Sequence, residues 1–234
     1  PDGTESLVEY NLLDKKSAEV DRNGSRTEYE YDNNGNLILT RFPDGTTVAN
    51  GYDPEGNRIS STDQLGRNTY YQYDGLNRLV QTTFPDNTFT ENVYDAAGQL
   101  TQTIDQRGNV TGYEYDAAGR RTAVIDALGN RTEYEYDFAG NQVAFTNANG
   151  SRTEYVYDAL NRQVEVISAD GASTRTEYDG LGRKTASIDQ NGRITRFGYD
   201  GAGRLIAVTD ALGGITSYTY DEQGNKLSQT DALG

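Results

Sequence analysis

The sequence lacks cysteine, histidine, methionine and tryptophan. Without cysteine there is no disulfide framework and no thiol chemistry, although this absence leaves the cellular compartment open. Without histidine and cysteine, neither a Ser–His nor a Cys–His nucleophile pair can form. The sequence therefore argues against an enzyme, and it offers no candidate catalytic residue.

Aliphatic residues are also scarce. Leu, Ile, Val and Phe together make up less than a fifth of the 234 residues, and the formal net charge is −15. That composition alone is typical of disordered chains, but 18 Tyr supply apolar area of another kind. The acidic balance argues against a nucleic-acid partner, because phosphate binding needs clustered Lys and Arg. No stretch has the length and apolarity of a membrane span.

A Tyr-Asp pair recurs every 21 residues, without insertion or deletion. The pairs begin at Tyr31, Tyr52, Tyr73, Tyr94, Tyr115, Tyr136, Tyr157, Tyr178, Tyr199 and Tyr220, and a degenerate pair begins at Tyr10. A fixed period of this length indicates a repeat architecture. The period predicts a single array of about eleven repeats over residues 1–234, with no second domain. Because the register runs to both ends and there is no initiator Met, we expect a piece of a longer polypeptide.

Each repeat contains two alternating runs, which predict two strands. In the run Arg131–Tyr136, Tyr134 and Tyr136 would lie on one side, and Glu133 and Glu135 on the other. Alternation rich in aromatic and β-branched residues predicts a strand with one covered face. We interpret the opposite, acidic face as solvated, since charged side chains are mostly exposed.

The two interruptions of a repeat usually have the form Asp/Asn-x-x-Gly, with Phe42 and Phe84 replacing the opening residue of two second interruptions. This form predicts a type I turn, capped by the Asp side chain and completed by a left-handed Gly at the fourth position. Turn residues assigned in this way are Asp116, Gly119, Asp126, Gly129, Asp137, Gly140 and Gly150. At Asn77, Asn87 and Asn161 the fourth position is Asn, the next most tolerant residue.

Tandem hairpins joined by such turns predict an all-β fold with one long antiparallel sheet. A sheet this wide accumulates twist, so we expect it to coil into a spiral or hollow shell. A parallel β-helix with one repeat per coil is the alternative fold, which the hairpin chemistry of both turns disfavours.

Seventeen of the 18 Tyr fall into two columns. The first column consists of the Tyr of each Tyr-Asp pair, and the second lies two positions earlier, at Tyr29, Tyr71, Tyr113, Tyr134, Tyr155 and Tyr218. Equivalent residues of adjacent repeats would lie about 10 Å apart, so return-strand residues such as Val143 must fill the gap. We assign the columns a structural role; sugar binding by ring stacking is the alternative.

The repeated charges have a structural interpretation as well. A Ca²⁺ loop over Asp32–Asn36 would need a bidentate Glu at its twelfth position, where Pro43 stands. Turn capping explains these Asp residues without metal, and we expect no metal or other cofactor. Five Arg occupy the equivalent position after the fourth residue of the first turn, and we expect them to pair with Glu of the next strand: Arg78, Arg120, Arg162, Arg183 and Arg204.

The unit Tyr-Asp-x-x-Gly-Arg followed by Asp-x-x-Gly-Asn-x-Thr-x-Tyr resembles the YD repeat of RHS proteins, over the whole chain. That family includes bacterial RHS effectors, wall-associated toxins, the B and C components of Tc toxin complexes and teneurins. The resemblance implies a secreted or cell-surface bacterial protein whose YD hairpins spiral into a hollow cocoon around a C-terminal toxic domain. It also implies an association with carbohydrate.

In this family the shell closes with a self-cleaving segment of the form Asp-Pro-x-Gly-Leu. Asp53–Gly56 resembles that segment, but it is an ordinary first turn of a repeat and is followed by Asn57 instead of Leu. We therefore assign no cleavage to it.

Two functions fit these observations. The first is a containment shell around a toxin, with further YD repeats of the same chain or of neighbouring subunits as partners. The second is an extracellular or cell-surface fibre or adhesin in which sheet edges pair with further repeats. The flanking sequence discriminates between them, because the shell requires a plug and a variable domain.

The predicted facing of the Tyr run is testable. Tyr136→Ala removes an aromatic ring from the covered face and should lower the free energy of unfolding by roughly 2–4 kcal/mol. Glu135→Ala changes the solvated face and should cost less than about 1 kcal/mol. Denaturant melts of the two variants make the comparison, and equal losses would contradict the facing.

Overall fold

A computed structural model describes residues 6–233 and contains 22 strands. Residues 6–233 contain no helix, and hence none long and apolar enough to cross a membrane. The chain divides into two compact units, the first ending at Tyr113 and the second beginning at Glu114.

Strands of two kinds alternate along the chain. Those that end at the Tyr of a repeat are called Tyr strands here, and those that follow them are called return strands. The Tyr strands are β1 (Leu7–Tyr10), β3 (Arg26–Tyr31), β5 (Thr47–Tyr52), β7 (Asn68–Tyr73), β9 (Phe89–Tyr94), β11 (Val110–Tyr115), β13 (Arg131–Tyr136), β15 (Arg152–Tyr157), β17 (Ser173–Tyr178), β19 (Ile194–Tyr199) and β21 (Ile215–Tyr220). The return strands are β2 (Lys16–Val20), β4 (Leu37–Arg41), β6 (Arg58–Thr62), β8 (Leu79–Thr83), β10 (Leu100–Ile104), β12 (Arg121–Ile125), β14 (Gln142–Thr146), β16 (Gln163–Ile167), β18 (Lys184–Ile188), β20 (Leu205–Thr209) and β22 (Lys226–Thr230).

Consecutive strands pair antiparallel within each unit. In the first unit the pairing runs from β1 to β11, and in the second from β12 to β22. The prediction of an all-β fold of antiparallel hairpins is confirmed. The β-helix alternative is wrong, because its strands would pair in parallel with those of the next coil. The single array over all residues stays a prediction.

Both turns of the repeat are type I turns followed by a left-handed residue. In the first turn, the Gly119 N–H donates to the Asp116 carbonyl at 3.0 Å, and the Asp116 N–H donates to the Arg120 carbonyl at 3.0 Å. The Asp116 carboxylate accepts from the N–H groups of Ala118 and Arg120 at 2.9 and 3.0 Å. Gly119 has a φ of 81°, which costs little without a Cβ.

The second turn repeats this geometry. The Gly129 N–H donates to the Asp126 carbonyl at 2.9 Å, and Asp126 Oδ1 accepts from Leu128 and Asn130 N–H groups, both at 2.9 Å. In these turns the short polar side chain at the first position closes the hairpin locally, as such side chains commonly do. Where Phe42 or Phe84 stands at the first position, Asp44 or Asp86 accepts from the backbone N–H of Thr46 or Thr88 instead.

A β-bulge interrupts the pairing in the hairpins around the first turn. This holds for each such hairpin whose two strands are described within the same unit. Between β13 and β14, Glu135 pairs with Ala144 but Tyr136 pairs with Gln142, so the return strand carries one extra residue. Hairpins around the second turn keep an unbroken register, as between β12 and β13. This bulge recurs at the Tyr of the repeat and was not predicted from the sequence.

The fold has very little conventional core. Within residues 6–233, burial is nearly complete only at Ala18, Ala123, Ala144, Ala186 and Thr40. Both Tyr columns are half-buried from Tyr29 onward. Stability must therefore come from contacts between neighbouring strands, as in other repeat proteins.

The turn carboxylates predict an acid-sensitive fold. Hydrogen bonds from the Asn130 side chain and backbone lower the pKa of the Asp126 carboxyl, and most other first-position Asp residues behave alike. A pKa lowered on folding contributes stability above the unfolded-state pKa, and this contribution is lost as pH falls through the folded-state pKa. We expect the melting temperature to fall steeply only below about pH 4.

Circular-dichroism melts between pH 7 and pH 2 measure this dependence. Asp126→Asn is the matched control, since Asn147 already caps a turn by accepting from Asn149 and Ser151 N–H groups at 2.9 and 3.0 Å. The control should lose less stability on acidification than the parent chain. A melting temperature that is flat down to pH 2 would contradict the role of the carboxylates.

Candidate functional site

The Tyr hydroxyl of the repeat reaches back to the preceding return strand. Backbone pairing between β14 and β15 stops at Ala144 and Glu154, so the Gln142 carbonyl lies beyond the last paired residue. The Tyr157 hydroxyl donates to that carbonyl at 3.0 Å, in place of a ladder N–H. The pKa of this hydroxyl is raised, mainly by burial.

The same bond recurs along both units, over 15 residues of sequence and at 2.8–3.3 Å. It joins the hydroxyls of Tyr31, Tyr52, Tyr73, Tyr94, Tyr136, Tyr178, Tyr199 and Tyr220 to the carbonyls of Lys16, Leu37, Arg58, Leu79, Arg121, Gln163, Lys184 and Leu205, respectively. The Tyr at this position therefore contributes its hydroxyl as well as its ring to the contact between strands.

A guanidinium links the first turns of neighbouring repeats. Arg120 pairs through Nε and an Nη with Asp116 of its own turn, both at 2.7 Å. The same guanidinium lies 4.9 Å from the Tyr136 ring centroid, and its Nη1 donates to the Asp137 carbonyl of the next turn at 2.7 Å. We call this arrangement the arginine clamp, and the residue after the fourth turn residue the clamp position.

Three of the other four Arg predicted from sequence, Arg162, Arg183 and Arg204, form the complete clamp, with Nη1 donating to the carbonyl of the next turn at 2.8–3.4 Å. Arg78 makes the other two contacts, but its Nη1 is buried without a hydrogen-bond partner among the described residues. Arg78, Arg162, Arg183 and Arg204 bind the Asp of their own turn at 2.7 Å and lie 4.5–5.1 Å from the next Tyr ring. The expectation that they pair with Glu of the next strand is wrong. Each is held instead by the Asp four residues earlier, because the turn folds the clamp position back toward its own cap.

The first repeat has a lysine clamp. Lys15 Nζ donates to the Gly35 carbonyl at 2.7 Å and lies 5.4 Å from the Tyr31 ring centroid. From the sequence, this repeat was recognised only by the degenerate pair at Tyr10. Position alone could have identified the clamp, since Lys15 occupies the same place in the period as Arg120.

A second cation follows the clamp and lies against the other Tyr column. Arg121 lies 5.5 Å from the Tyr134 ring centroid, and Lys16 lies 5.0 Å from that of Tyr29. The clamp residue and the residue after it thus lie on the same face of the sheet, the one that carries the Tyr columns. Successive residues of a regular strand would face opposite sides. Phe145 fills the gap beside Tyr134, with ring centroids 5.6 Å apart.

The opposite face carries ion pairs over small residues. Ala144 lies between Glu135 and Glu154 in neighbouring strands, and Arg152 pairs with both carboxylates. The Arg152 guanidinium lowers the pKa of Glu135. Arg131 likewise bridges Glu114 and Glu133, at 2.7 Å each, and Arg26 bridges Glu9 and Glu28.

The acidic side chains bind other groups of the protein itself. Within residues 6–233, no group of three or more acidic side chains is placed to hold a metal ion. Asp32, the residue considered for Ca²⁺, accepts hydrogen bonds from Asn34 and Asn36 of its own turn, at 3.0 and 2.8 Å. The Asp residues of the turns are thus engaged by their own turns, and the bridging Arg residues by Glu of neighbouring strands.

Comparisons with known proteins agree with this geometry. The RHS Repeat family model matches residues 16–47, 52–88, 94–131, 136–174, 157–194, 178–215 and 199–234. No curated protein matches significantly.

Among solved structures, the crystal structure of TcdB2-TccC3-TEV is similar at 15% identity, with a TM-score of 0.67. The Photorhabdus luminescens Tc holotoxin pore is similar at 16% identity, with a TM-score of 0.51. The match covers 97% of this chain in both comparisons, but only 15% and 16% of those chains. At this identity the likeness shows a shared fold.

The Tyr hydroxyl bond can be tested on one strand. Tyr157→Phe keeps the ring but leaves the Gln142 carbonyl without its donor, and should lower the free energy of unfolding by about 1 kcal/mol. Tyr155→Phe is the matched control, because its hydroxyl has no partner among the described residues. Denaturant melts should separate the two variants, and equal losses would contradict a specific role for the Tyr157 hydroxyl.

Proposed function

Because the chain belongs to the RHS repeat family, we propose that it is a non-enzymatic stretch of a β-shell that encloses a C-terminal toxin domain. Its partners are further YD repeats, in the same longer chain or in neighbouring subunits, and the enclosed domain. The protein that contains it is secreted or displayed on the bacterial cell surface.

The observation that carries this proposal is the way one repeat binds the next. The arginine clamp joins Asp116 to the Tyr136 ring and the Asp137 carbonyl, and the Tyr157 hydroxyl joins β15 to the return strand before it. The charged and hydroxyl side chains that an enzyme could use to bind a substrate instead bind neighbouring repeats. Such an array favours a wall over a catalytic site.

The thinness of the sheet also supports a wall. Each unit is a single sheet whose Tyr column is only half-buried and whose opposite face is covered by ion pairs such as Arg152 with Glu135. Among the described residues of each unit, neither face is packed against a second layer. A single sheet can therefore present one face to a cargo and the other to solvent.

The chain is short compared with the Tc toxin chains to which it is similar, so a shell would need more repeats than it contains. The chain spans about 15% of the Tc toxin chains to which it is similar. Enclosing a folded domain would then require many more repeats than the 22 strands described here. The likeness to TcdB2-TccC3 supports the wall by its fold, whereas the cargo is inferred from the family.

A fibre or adhesin is the second candidate. Its supporting observation is the uninterrupted period, since no insertion breaks the repeats from β1 to β22. In principle such an array extends without closing. Half-buried Tyr rings on one face would then be available to stack on carbohydrate.

Electron microscopy of the native full-length protein tests the two candidates. We expect a closed hollow particle with internal density, and an empty particle when the region C-terminal to the repeats is deleted. Filaments or open spirals would overturn the shell and support the fibre. Binding to a glycan array by such filaments would add the adhesin role.

A further inference from the structure

The clamp position also constrains the next repeat. Twenty residues after it lies the fourth residue of the following first turn, which is left-handed. Successive pairs along the sequence are Lys15 with Gly35, Asn36 with Gly56, Asn57 with Asn77, Arg78 with Gly98, Gln99 with Gly119, Arg120 with Gly140, Asn141 with Asn161, Arg162 with Gly182, Arg183 with Gly203 and Arg204 with Gly224. All six cations are followed by Gly, and Asn occurs at the fourth position only after Asn.

The space around the left-handed residue explains the cation–glycine pairs. A Cβ built on Gly35 would lie 2.6 Å from Lys15 Nζ, and one built on Gly98 would lie 3.3 Å from Arg78 Nη1. At Gly182 the nearest atom is Nη1 of Arg162, at 3.9 Å. At Gly35 and Gly98 the cation thus occupies the space into which a side chain at the fourth position would project, whereas the Cβ positions of Gly140 and Gly224, which follow Arg120 and Arg204, are open.

The asparagine pairs fill the same space with a hydrogen bond. Asn57 Nδ2 donates to Asp53 Oδ2 at 3.0 Å in its own turn, and to Asn77 Oδ1 at 2.9 Å in the next. Asn141 Nδ2 likewise donates to Asn161 Oδ1, at 2.9 Å. Asn77 and Asn161 have φ values of 60° and 59°, so they occupy the conformation that Gly holds elsewhere.

We infer that the clamp residue is a specificity determinant for the repeat that packs on it. A Lys or Arg whose charged end lies over the fourth position of the following first turn, as Arg78 does at Gly98, selects Gly there, whereas Asn accepts a following turn with Asn. The recognised surface is the edge formed by the first turns, and its partner is a YD repeat with the matching residue. This inference concerns contacts between adjacent repeats and holds whether the array forms a shell or a fibre.

A double-mutant cycle at Arg78 and Gly98 tests the rule. Gly98→Asn places a side chain against the Arg78 guanidinium and should lower the melting temperature. Gly108→Asn is the matched control, since Gly108 has a φ of 80° in a second turn and open space around its Cβ position. The control measures the cost of the backbone conformation alone, and we expect Gly98→Asn to cost roughly 2–8 °C more.

The second half of the cycle combines Gly98→Asn with Arg78→Asn. The double variant can form the Asn–Asn bond seen between Asn57 and Asn77, so the excess loss should disappear. Hydrogen exchange of the 95–99 turn should recover in parallel. An excess that persists without Arg78, or no excess over Gly108→Asn, would overturn the rule.

The reverse exchange keeps the inference testable if Gly98→Asn does not fold. Asn141→Arg alone should destabilise the chain, because the new side chain meets Asn161. Adding Asn161→Gly should restore stability by creating an arginine clamp over Tyr157. Failure of the second change to rescue the first would overturn the rule as well.

Discussion

The hydrogen bond from the Tyr hydroxyl to the preceding return strand is the interaction on which the array depends. A β-bulge ends the regular pairing early and leaves a carbonyl, such as that of Gln142, without a ladder partner. A buried carbonyl without a donor is costly, and the Tyr157 hydroxyl supplies the donor. The bulge exposes a carbonyl and the Tyr supplies its donor, which gives a physical reason for the two to recur together from repeat to repeat.

This pairing also determines where the charges lie. Arg120 and Arg121 both face the Tyr columns, so the Tyr side binds cations and the opposite side is left to Glu and its bridging Arg. The cations stack on rings at about 5 Å, where such contacts are worth about 0.5–1 kcal/mol when exposed. Individually these contacts are weak, but repetition lets many of them replace a core.

The hairpins could be predicted from the sequence because their turns depend on residues within four positions of each other. The arginine clamps could not, because they depend on how the turn and the bulge orient the Arg side chain. The Asp cap and the left-handed Gly act within four residues, so Asp116 and Gly119 were assigned to a type I turn from sequence. The partner of Arg120 depends on how the turn and the bulge orient its side chain. Simple alternation instead placed it against a Glu of the next strand. Ala144 was overlooked for a related reason, since a small residue is buried here by an Arg152 bridge that spans three strands.

Variation among the repeats is constrained in the same way. If every repeat tolerated any neighbour, the fourth turn residue would vary independently of the clamp position. Instead, Asn77 follows Asn57 and Asn161 follows Asn141, whereas Gly98 follows Arg78. In each pair, the clamp residue binds the Asp that caps its own turn and also fills the space beside the fourth residue of the next turn. Arg78 does so with its guanidinium, and Asn57 and Asn141 do so with an Asn–Asn hydrogen bond. In a nearly uniform array, the residue at the clamp position can therefore determine which repeat packs next to which. The stability of the array is then a sum of such contacts between neighbours.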